Sequence, residues 1–420
     1  MRAAIEAVSP RHLMPQVAAT VAAAGFGAGA GLHVVAVGKA AAGMYRAFID
    51  SPPAPVARAI VIGPNRPADW IGPAEFVAAG HPFATAESER GARLALEVAA
   101  SVGADECLVC LLSGGASALM AAAIDGLSLE VKQQAVGHVM RGGADITALN
   151  TVRKHLSRVK GGRLAAACRG TVLTFAISDV IGDDLSVIGS GPCVADWSTW
   201  DDAAAAVVGH GGWDGLPPAV QRLLDAGRRG DLADTPKAGD PRLARARAEV
   251  IGGRRQAMDG AGRAAAACGY LPVVVDEALT GEAREAAPRW WTAALAHAAS
   301  SGRPLALISS GETTVRVSGG GRGGRNQEFA LALVEAVAEF GGATVVASIG
   351  TDGIDGPTEA AGALVDATTR QRAARAGLDA AAVLGDNDSY RYFAALGDLV
   401  VTGPTGTNVG DVQLLLAGPA

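Results

Sequence analysis

Apolar runs alternate with amphipathic stretches of helix length along the first half of the chain. The runs that predict strands are Leu32–Val37, Ala59–Ile62, Cys107–Leu112 and Thr171–Ile177. The stretches that predict helices between them are Ala40–Ile49, Ala86–Ser101 and Ser128–Met140. Because strands joined through a helix run parallel in one sheet, this half is predicted to form a parallel, doubly wound α/β sheet.

A segment rich in Gly, Pro, Asp and Arg, residues 209–242, interrupts this pattern and predicts a domain boundary. A second α/β series follows it, with strands predicted at Glu249–Ile251, Leu271–Val275, Leu305–Ser309, Thr344–Ser348 and Val412–Leu416. Its predicted helices are Arg254–Cys268, Gly281–Ser300 and Phe329–Phe340. The chain is therefore predicted to fold as two α/β domains, 1–235 and 241–420, with a cleft between them.

The composition favours a soluble globular protein and excludes several partners. The 420 residues are 49% hydrophobic and 19% charged, which is too apolar for a disordered chain. A net charge of −6, no basic block and 4% aromatic residues argue against nucleic-acid binding. Because the chain has neither a long apolar run nor an apolar signal core, we expect no membrane association and a cytoplasmic location. A homo-oligomer stays open.

The five cysteines do not indicate a metal or redox site. Cys107 and Cys110 form a C-x-x-C pair, but the pair lies inside a predicted strand, where residues three apart point to opposite faces. The thiols are therefore predicted to be buried and structural, and their odd number fits a reducing compartment.

Polar loops follow the predicted strands, where open α/β sheets bind ligands. Lys39 begins a helix directly after the first strand, a position suited to an anion. The segment Ser113–Ser117 offers Gly114, Gly115 and two serine hydroxyls after another strand. The chain lacks the G-x-G-x-x-G dinucleotide fingerprint and the G-x-S-x-G nucleophile elbow at these loops. His81 fits a turn histidine as well as a functional one.

A basic segment and an acidic loop follow in the first half. Asn150 is followed by Arg153, Lys154 and Lys160; such a run is either a solvated helix face or, in an acidic chain, a local trap for anions. The acidic loop after the strand at Thr171–Ile177 carries Asp179, Asp183 and Asp184. Carboxylates at a strand end suit Mg²⁺, although each alone also fits a helix cap or turn.

Five glycines precede the helical segment that begins near Arg325 and Asn326 in the second half, and Gly323 and Gly324 are the last of them. Such a stretch predicts either a backbone nest for phosphates or a flexible loop. It lacks the Lys-Ser/Thr ending of a P-loop. Basic loops, glycines and carboxylates together fit phosphoryl transfer, so the residues alone predict an anion- or nucleotide-binding α/β enzyme.

Read together, these loops resemble the class II glycerate kinases, whose C-terminal half is the MOFRL domain. In the first half the matching segments are VGKAAAGM (37–44), GHP (80–82), SGGASAL (113–119), LNTVRKHLSRVKGGRLA (149–165) and ISDVIGDDLSVIGSGP (177–192). In the second half they are GETTVRV (311–317), GGRNQEFALA (323–332), GTDGIDGPTEAAGA (350–363), NDSY (387–390) and TGPTGTNVGD (402–411). They cover both halves in the order of the family.

The resemblance implies ATP-dependent phosphorylation of D-glycerate, at the 2-hydroxyl in many bacteria, by a Rossmann-like N-terminal domain and a smaller C-terminal α/β domain with the site in their cleft. It places the catalytic basic residues on Lys39 and Arg325, and we add Asp179 as a candidate general base. The hypothetical Mg²⁺ ligands are Asp183, Asp184, Glu312 and Asp352. The hypothetical binding residues for glycerate and the phosphates are Ser113, Gly114, Gly115, Ser117, His81, Asn150, Arg153, Lys154, Lys160, Gly323, Gly324 and Asn326.

Two other functions stay open from the sequence. Relatives of this family have been labelled hydroxypyruvate reductases, so an NAD(P)H-dependent reductase is the alternative, although the dinucleotide fingerprint is missing. A sensor that binds a small sugar acid without turnover is the third. Carboxylates beside basic loops in both halves favour catalysis over binding alone.

Overall fold

The computed structural model describes residues 1–420 except 28, 30, 71, 300–301, 341 and 419–420. The chain divides into two compact units. We call Leu13–Ile251 the N-terminal unit, and Met1–His12 together with Gly252–Ala420 the C-terminal unit. The division falls after Ile251, whereas the sequence placed it at 235–241, because a strand that begins at Ala246 joins the first sheet.

The sheet of the N-terminal unit has the strand order of a Rossmann fold. Its strands are β1 (Leu32–Val37), β2 (Val56–Gly63), β3 (Glu75–Ala78), β4 (Cys107–Leu112), β5 (Thr171–Ile177) and β6 (Ala246–Gly252). They are arranged β3-β2-β1-β4-β5-β6, and the pairs β1–β2, β2–β3, β1–β4 and β4–β5 are parallel. The predicted parallel sheet is confirmed. β3 escaped prediction because it is short and only one of its residues, Val77, is fully buried.

Helices flank this sheet, and a separate helical layer has its own core. The helices from α2 onward are α2 (Pro10–Ala23), α3 (Ala41–Ile49), α4 (Ala86–Ser101), α5 (Ala116–Leu119), α6 (Leu129–Arg141), α7 (Ile146–His155), α8 (Arg163–Ala166), α9 (Trp200–Gly209) and α10 (Pro218–Arg228). Val139, Val152, Trp200 and Leu224 pack together from α6, α7, α9 and α10. The segment predicted as a boundary, 209–242, therefore contains a packed helix.

The C-terminal unit contains a mixed sheet. Its strands are β7 (Leu271–Val274), β8 (Leu279–Glu282), β9 (Leu305–Thr314), β10 (Thr344–Gly350), β11 (Gly362–Asp366), β12 (Leu399–Val400) and β13 (Asp411–Ala417). Their order is β12-β11-β10-β13-β9-β7, with β8 also paired to β9. The last strand, β13, lies between β9 and β10 and is antiparallel to both. In the pairing of β9 with β13, Gly311 therefore lies opposite Asp411, the first residue of β13.

The helices of the C-terminal unit include the first helix of the chain. They are α1 (Arg2–Ala7), α11 (Arg254–Ala267), α12 (Ala283–Ala299), α13 (Arg325–Leu331), α14 (Val334–Phe340), α15 (Thr369–Arg375), α16 (Ala380–Gly385) and α17 (Ser389–Leu396). α1 packs on α11, and the carbonyl of Val8 accepts a hydrogen bond of 2.7 Å from the Thr407 hydroxyl. These contacts explain why residues 1–12 belong to this unit.

Two helices of the C-terminal unit differ from the sequence prediction. The segment Phe329–Phe340 was predicted as one helix, but α13 ends at Leu331 and α14 begins at Val334. The helix predicted at Gly281–Ser300 begins at Ala283, because the preceding residues pair with β9 as strand β8, and its predicted last residue lies outside the described residues. No helix in the described part of the chain is both long and apolar enough to cross a membrane.

Candidate active site

The loops that follow β1 and β4 meet at the point where the strand order of the first sheet reverses. The Lys39 N–H donates to the carbonyl of Gly114 over 2.9 Å, and the Ala40 N–H donates to the Ser113 hydroxyl over 3.0 Å. Ligands of open α/β sheets bind at this switch point, beyond the carboxyl ends of the strands. The fold therefore places Lys39 and the Ser113–Ser117 segment where the sequence expected a site.

Three residues predicted for the site, Gly115, His81 and Lys39, lie close together. A Cβ atom on Gly115 would lie 2.9 Å from Cδ2 of His81 and 3.4 Å from Cγ of Lys39. Both side chains thus pack against a glycine that has no room for a side chain of its own. Desolvation and the nearby charge of Lys39 both lower the pKa of His81. His81 is therefore part of the same local group and not an isolated turn residue.

A cavity of about 760 Å³ opens beside these loops. Its walls come from residues 81–84, from the segment that begins at Gly115, and from one face of α6. The predicted binding residues that line it are His81, Gly115, Ser117, Arg153 and Lys160. Lys132, which the sequence did not single out, also lines it. The sequence feature that could have pointed to Lys132 is its residue type, because only five of the 36 basic residues are lysines.

Lys160 holds the loops around this cavity in place. Its ammonium group donates to the carbonyl of Ser117 over 2.8 Å and to the Ser117 hydroxyl over 3.1 Å, with longer bonds of 3.4 Å to the carbonyls of Met120 and Gly189. The side chain is 1% exposed. Burial and the charges of Lys132 and Arg153 lower its pKa. Lys160 therefore positions the backbone of the cavity wall more than it presents a free charge to a ligand.

A chain of hydroxyl groups continues from this lysine to Asn150. The hydroxyl oxygens of Ser117 and Ser190 lie 2.9 Å apart, and the Ser190 hydroxyl donates to Oδ1 of Asn150 over 3.1 Å. Arg153 also donates to the same oxygen, at 3.5 Å. Asn150 is buried and does not line the cavity, so it orients Ser190 and Arg153 without facing the cavity itself.

Lys154, predicted to bind phosphates, lies in the core. Its ammonium group is 3.1 Å from Oδ1 of Asp196, and both side chains are almost fully buried. Asp196 also accepts hydrogen bonds from the hydroxyls of Ser198 and Thr235, over 2.9 Å each. A charge so fully compensated stabilises the unit and does not reach the cavity, and the phosphate-binding prediction for Lys154 does not fit this position.

The acidic loop after β5 offers single carboxylates for a magnesium ion. Within each unit, the described residues bring no three Asp, Glu, His or Cys side chains together as a metal cluster. Asp184 accepts a hydrogen bond of 2.8 Å from the Ser186 N–H, which is the geometry of a cap. Among the described residues, Oδ1 of Asp183 is buried and accepts no hydrogen bond. Mg²⁺ is commonly held by one or two carboxylates together with water and phosphate oxygens, and Asp183 fits such a ligand. Asp179, four residues earlier in the chain, is half-buried.

Arg325 is fixed by a two-point contact in the C-terminal unit. Its Nε and Nη2 donate to the two carboxylate oxygens of Asp411 over 2.7 and 2.9 Å, and Nη1 lies 3.3 Å from Oε1 of Glu312. Burial disfavours the charged guanidinium, but the hydrogen bonds to Asp411 prevail and raise the pKa of Arg325. Asp411 was not predicted, although it is the last residue of the quoted segment 402–411.

Asn326 and Asp355 extend this network. Asn326 donates from Nδ2 to Asp411 over 2.9 Å, and its Oδ1 accepts from the Ser348 hydroxyl over 2.6 Å. Asp355 is 2% exposed and accepts the backbone N–H groups of Asn326 and Gln327 over 3.0 and 2.9 Å, so it caps α13. Burial raises the pKa of Asp355 to about 6, against the lowering effect of those N–H groups.

Of the two interpretations of the glycine-rich loop, an open phosphate nest does not fit residues 318–322, because their backbone N–H groups already have acceptors. Asn387 accepts the N–H groups of Ser318 and Gly319 through its side chain. The remaining N–H groups, those of residues 320–322, are accepted by Asp386 and Asp388 over 2.9 to 3.1 Å. The polar oxygens of this second loop occupy the places that a phosphate would need.

Gly323 and Gly324, predicted as binding residues, are closely packed instead. A Cβ atom on Gly324 would lie 2.3 Å from Cγ of Asp355, and one on Gly323 would lie 2.1 Å from the Ser389 hydroxyl. Asp352, predicted as a metal ligand, accepts the Ile354 N–H over 3.1 Å. The C-terminal unit thus gathers Arg325, Glu312 and Asn326 into one network, and its glycines permit that packing.

Fold and site together define an α/β protein with a lysine at the switch point of the sheet in one unit and an arginine–carboxylate network in the other. The family models agree with both halves. Residues 1–225 match the domain of unknown function DUF4147, and residues 305–411 match the MOFRL family.

The relatives show which family combines these two parts. A glycerate 2-kinase from Pyrococcus horikoshii is 34% identical over 92% of this chain and 87% of its own length. A crystal structure of glycerate kinase from Thermotoga maritima matches with a TM-score of 0.85 and 35% identity, covering 99% of this chain and 96% of that one. A protein from Agrobacterium vitis, 39% identical over 92% of this chain and 87% of its own, has hydroxypyruvate reductase as a provisional name. The chain belongs to the glycerate kinase family.

Proposed function

We propose that this protein transfers the γ-phosphoryl group of ATP, bound with Mg²⁺, to the 2-hydroxyl of D-glycerate. The observation that carries the proposal is the position of Lys39, a basic residue at the switch point of the first sheet, in a member of the glycerate kinase family. Arg325 is a second basic residue that its own unit holds in a fixed orientation. Phosphoryl transfer needs positioning and charge stabilisation more than covalent participation by the protein. These residues are suited to that work.

The reaction forms one bond and breaks one. The glycerate hydroxyl oxygen attacks the γ-phosphorus, the bond to the bridging oxygen of ADP breaks, and the hydroxyl proton passes to a base. Lys39 and Arg325 stabilise the charge that develops on the transferring group. Asp179 is assigned as the base, and Asp183 as the carboxylate that holds Mg²⁺, which itself neutralises phosphate charge when bound. His81 and the hydroxyl of Ser117 contact the bound phosphates.

The family name supports phosphorylation of glycerate, while the donor, the metal and the position of transfer need an assay. Purified protein with ATP, Mg²⁺ and D-glycerate is expected to release ADP only when all three are present. If enolase is then added without a phosphoglycerate mutase, phosphoenolpyruvate should form, because enolase accepts the 2-phosphate and not the 3-phosphate. Formation that requires the mutase would overturn the 2-position.

A reductase is the competing function, on the strength of the provisional name of one relative. The test is the absorbance of NADH in the presence of hydroxypyruvate and without ATP. Rapid oxidation of NADH under these conditions, together with no ADP release from ATP and glycerate, would contradict the kinase proposal.

A further inference from the structure

One face of α6 forms an apolar wall of the 760 Å³ cavity. Leu129, Val136 and Met140 lie on this face at helical spacing and line the cavity, and Phe83 lines it from the loop after β3. Phe83 is 76% exposed and Met140 is 51% exposed. Exposed apolar side chains grouped around a concavity gain free energy when a ligand covers them and removes them from water. The wall therefore favours a ligand with an apolar or aromatic part.

The same face of α6 carries a buried positive charge. Lys132 is 4% exposed, and among the described residues its only hydrogen bond is to the carbonyl of Ala122, at 3.2 Å. Arg153 is another cation that lines this cavity. Among the described residues, its side chain donates only one long hydrogen bond, to Asn150. An ammonium group has three donors, so two of those on Lys132 remain without an acceptor. When Lys132 is protonated, this buried ammonium group therefore has no anionic partner among the described residues.

The charges around Lys132 are mostly of its own sign. Burial is the largest cause that lowers the pKa of Lys132 to about 7; the charges of Arg153 and Arg163 act in the same direction, and Glu89 opposes them. Lys160 is a third cation, but its ammonium group is engaged by backbone carbonyls. An anionic ligand would supply the missing countercharge and acceptors for Lys132 and Arg153.

Glycerate alone does not match this cavity. It is small and polar throughout, whereas cavities of this volume take ligands of cofactor size, with apolar walls and a few polar groups that fix orientation. We infer that this cavity is the nucleotide site, with the base and ribose on the wall of Phe83, Val136 and Met140 and the phosphates on Lys132 and Arg153. This assignment rests on the proposed function, which requires a nucleotide but does not say where it binds.

The test is calorimetric titration of ADP with Mg²⁺, and separately of D-glycerate, into purified variants. Lys132→Met removes the charge and keeps the length of the side chain; because the lysine is buried with a single hydrogen bond, the variant is expected to fold. Its control is Arg141→Met, which removes a charge at an exposed position of the same helix. Phe83→Ala removes an aromatic ring from the apolar wall of the cavity. Its control is Trp197→Ala, because Trp197 is 61% exposed in the same unit.

Loss of a hydrogen bond to a charged group should weaken ADP binding roughly 10- to 100-fold in Lys132→Met. Phe83→Ala should weaken it about threefold to tenfold, as expected for lost apolar contact. Binding of D-glycerate should stay within about twofold in both, and the two controls should match the wild type.

Two results would overturn the inference while leaving the proposed function intact. The first is ADP binding of wild-type strength in both variants of a protein that phosphorylates glycerate. The second is loss of D-glycerate binding with ADP binding kept, which would make the cavity the glycerate site. If the wild type neither binds ADP nor phosphorylates glycerate, the proposed function fails and this assignment fails with it.

Discussion

Arg325 and Asp411 form a two-point contact in which Nε and Nη2 of the arginine reach the two oxygens of the aspartate over 2.7 and 2.9 Å. Asp411 is fully buried and is the first residue of β13, and Arg325 is the first residue of α13. This fork geometry fixes the plane of the guanidinium in a way that a lysine ammonium group does not reproduce. The orientation of Arg325, and not only its charge, should therefore matter.

Arg325→Lys is expected to lower kcat for glycerate phosphorylation by about 10²- to 10³-fold, because an oriented donor to the transferring group is lost. The KM for D-glycerate should change much less. The control is Arg322→Lys, because Arg322 is an exposed arginine of the same segment that pairs with Glu359 over 2.9 Å. A variant at position 325 with wild-type kcat would contradict the role of Arg325.

Lys39→Met tests the charge at the switch point. Lys39 is exposed, so the variant should fold with a free energy of unfolding within about 0.5 kcal/mol of the wild type. Its kcat/KM should fall by at least about 10²-fold. Arg66→Met, at an exposed position after β2, serves as the control and should retain activity. Equal losses in the two variants would point to a general charge effect and against a specific role for Lys39.

Gly324→Ala tests whether the glycine-rich loop is built for packing. A methyl group there would lie 2.3 Å from Cγ of Asp355, whereas one on Gly320 would meet nothing within 4 Å. We expect Gly324→Ala to lose about 1–3 kcal/mol of stability and Gly320→Ala to change it by less than about 0.5 kcal/mol. Chemical denaturation measures both. A Gly320→Ala variant that folds normally but loses ATP binding would restore the phosphate-nest interpretation.

Asp355 gives the stability of the protein a predictable pH dependence. Burial raises its pKa to about 6 from an ordinary value of 3.8, despite the N–H groups that favour its charged form. Between these values the folded protein keeps a proton that the unfolded chain has released, so the contribution of Asp355 to the free energy of unfolding falls as pH rises through this window.

The measurement compares the wild type with Asp355→Asn, which has no proton to lose at this position. The free energy of unfolding of the wild type minus that of the variant should decrease by on the order of 1–3 kcal/mol between about pH 4 and pH 6, and stay constant at higher pH. A difference that does not change with pH would show that Asp355 ionises normally in the folded state.

The sequence predicted the first sheet well because its signal is local. β1, β4 and β5 are continuous apolar runs, and a central parallel strand buried on both faces has this pattern. The position of β13 between β9 and β10 has no local signal, since it depends on which distant strands pair. The break between Leu331 and Val334 was also missed, because the apolar pattern continues across it.

The candidate site could be predicted only in part, for the same reason. Lys39 and Ser117 follow predicted strands and were found through that position, whereas His81 was singled out through the GHP segment (80–82). Lys132 lies on a helix with a regular amphipathic pattern, and nothing in that pattern tells that a cavity faces it. The sequence could not decide between the two interpretations of the glycine-rich loop, because the groups that accept its N–H groups, in Asp386–Asp388, lie far away in the sequence.

The central claim is that this protein phosphorylates D-glycerate, and ³¹P NMR of the purified protein with ATP, Mg²⁺ and D-glycerate tests it most directly. We predict a new phosphomonoester resonance that coincides with authentic 2-phosphoglycerate and grows as the γ-phosphate resonance of ATP decays. An unchanged ATP spectrum, with a known kinase active in the same buffer, would contradict the claim.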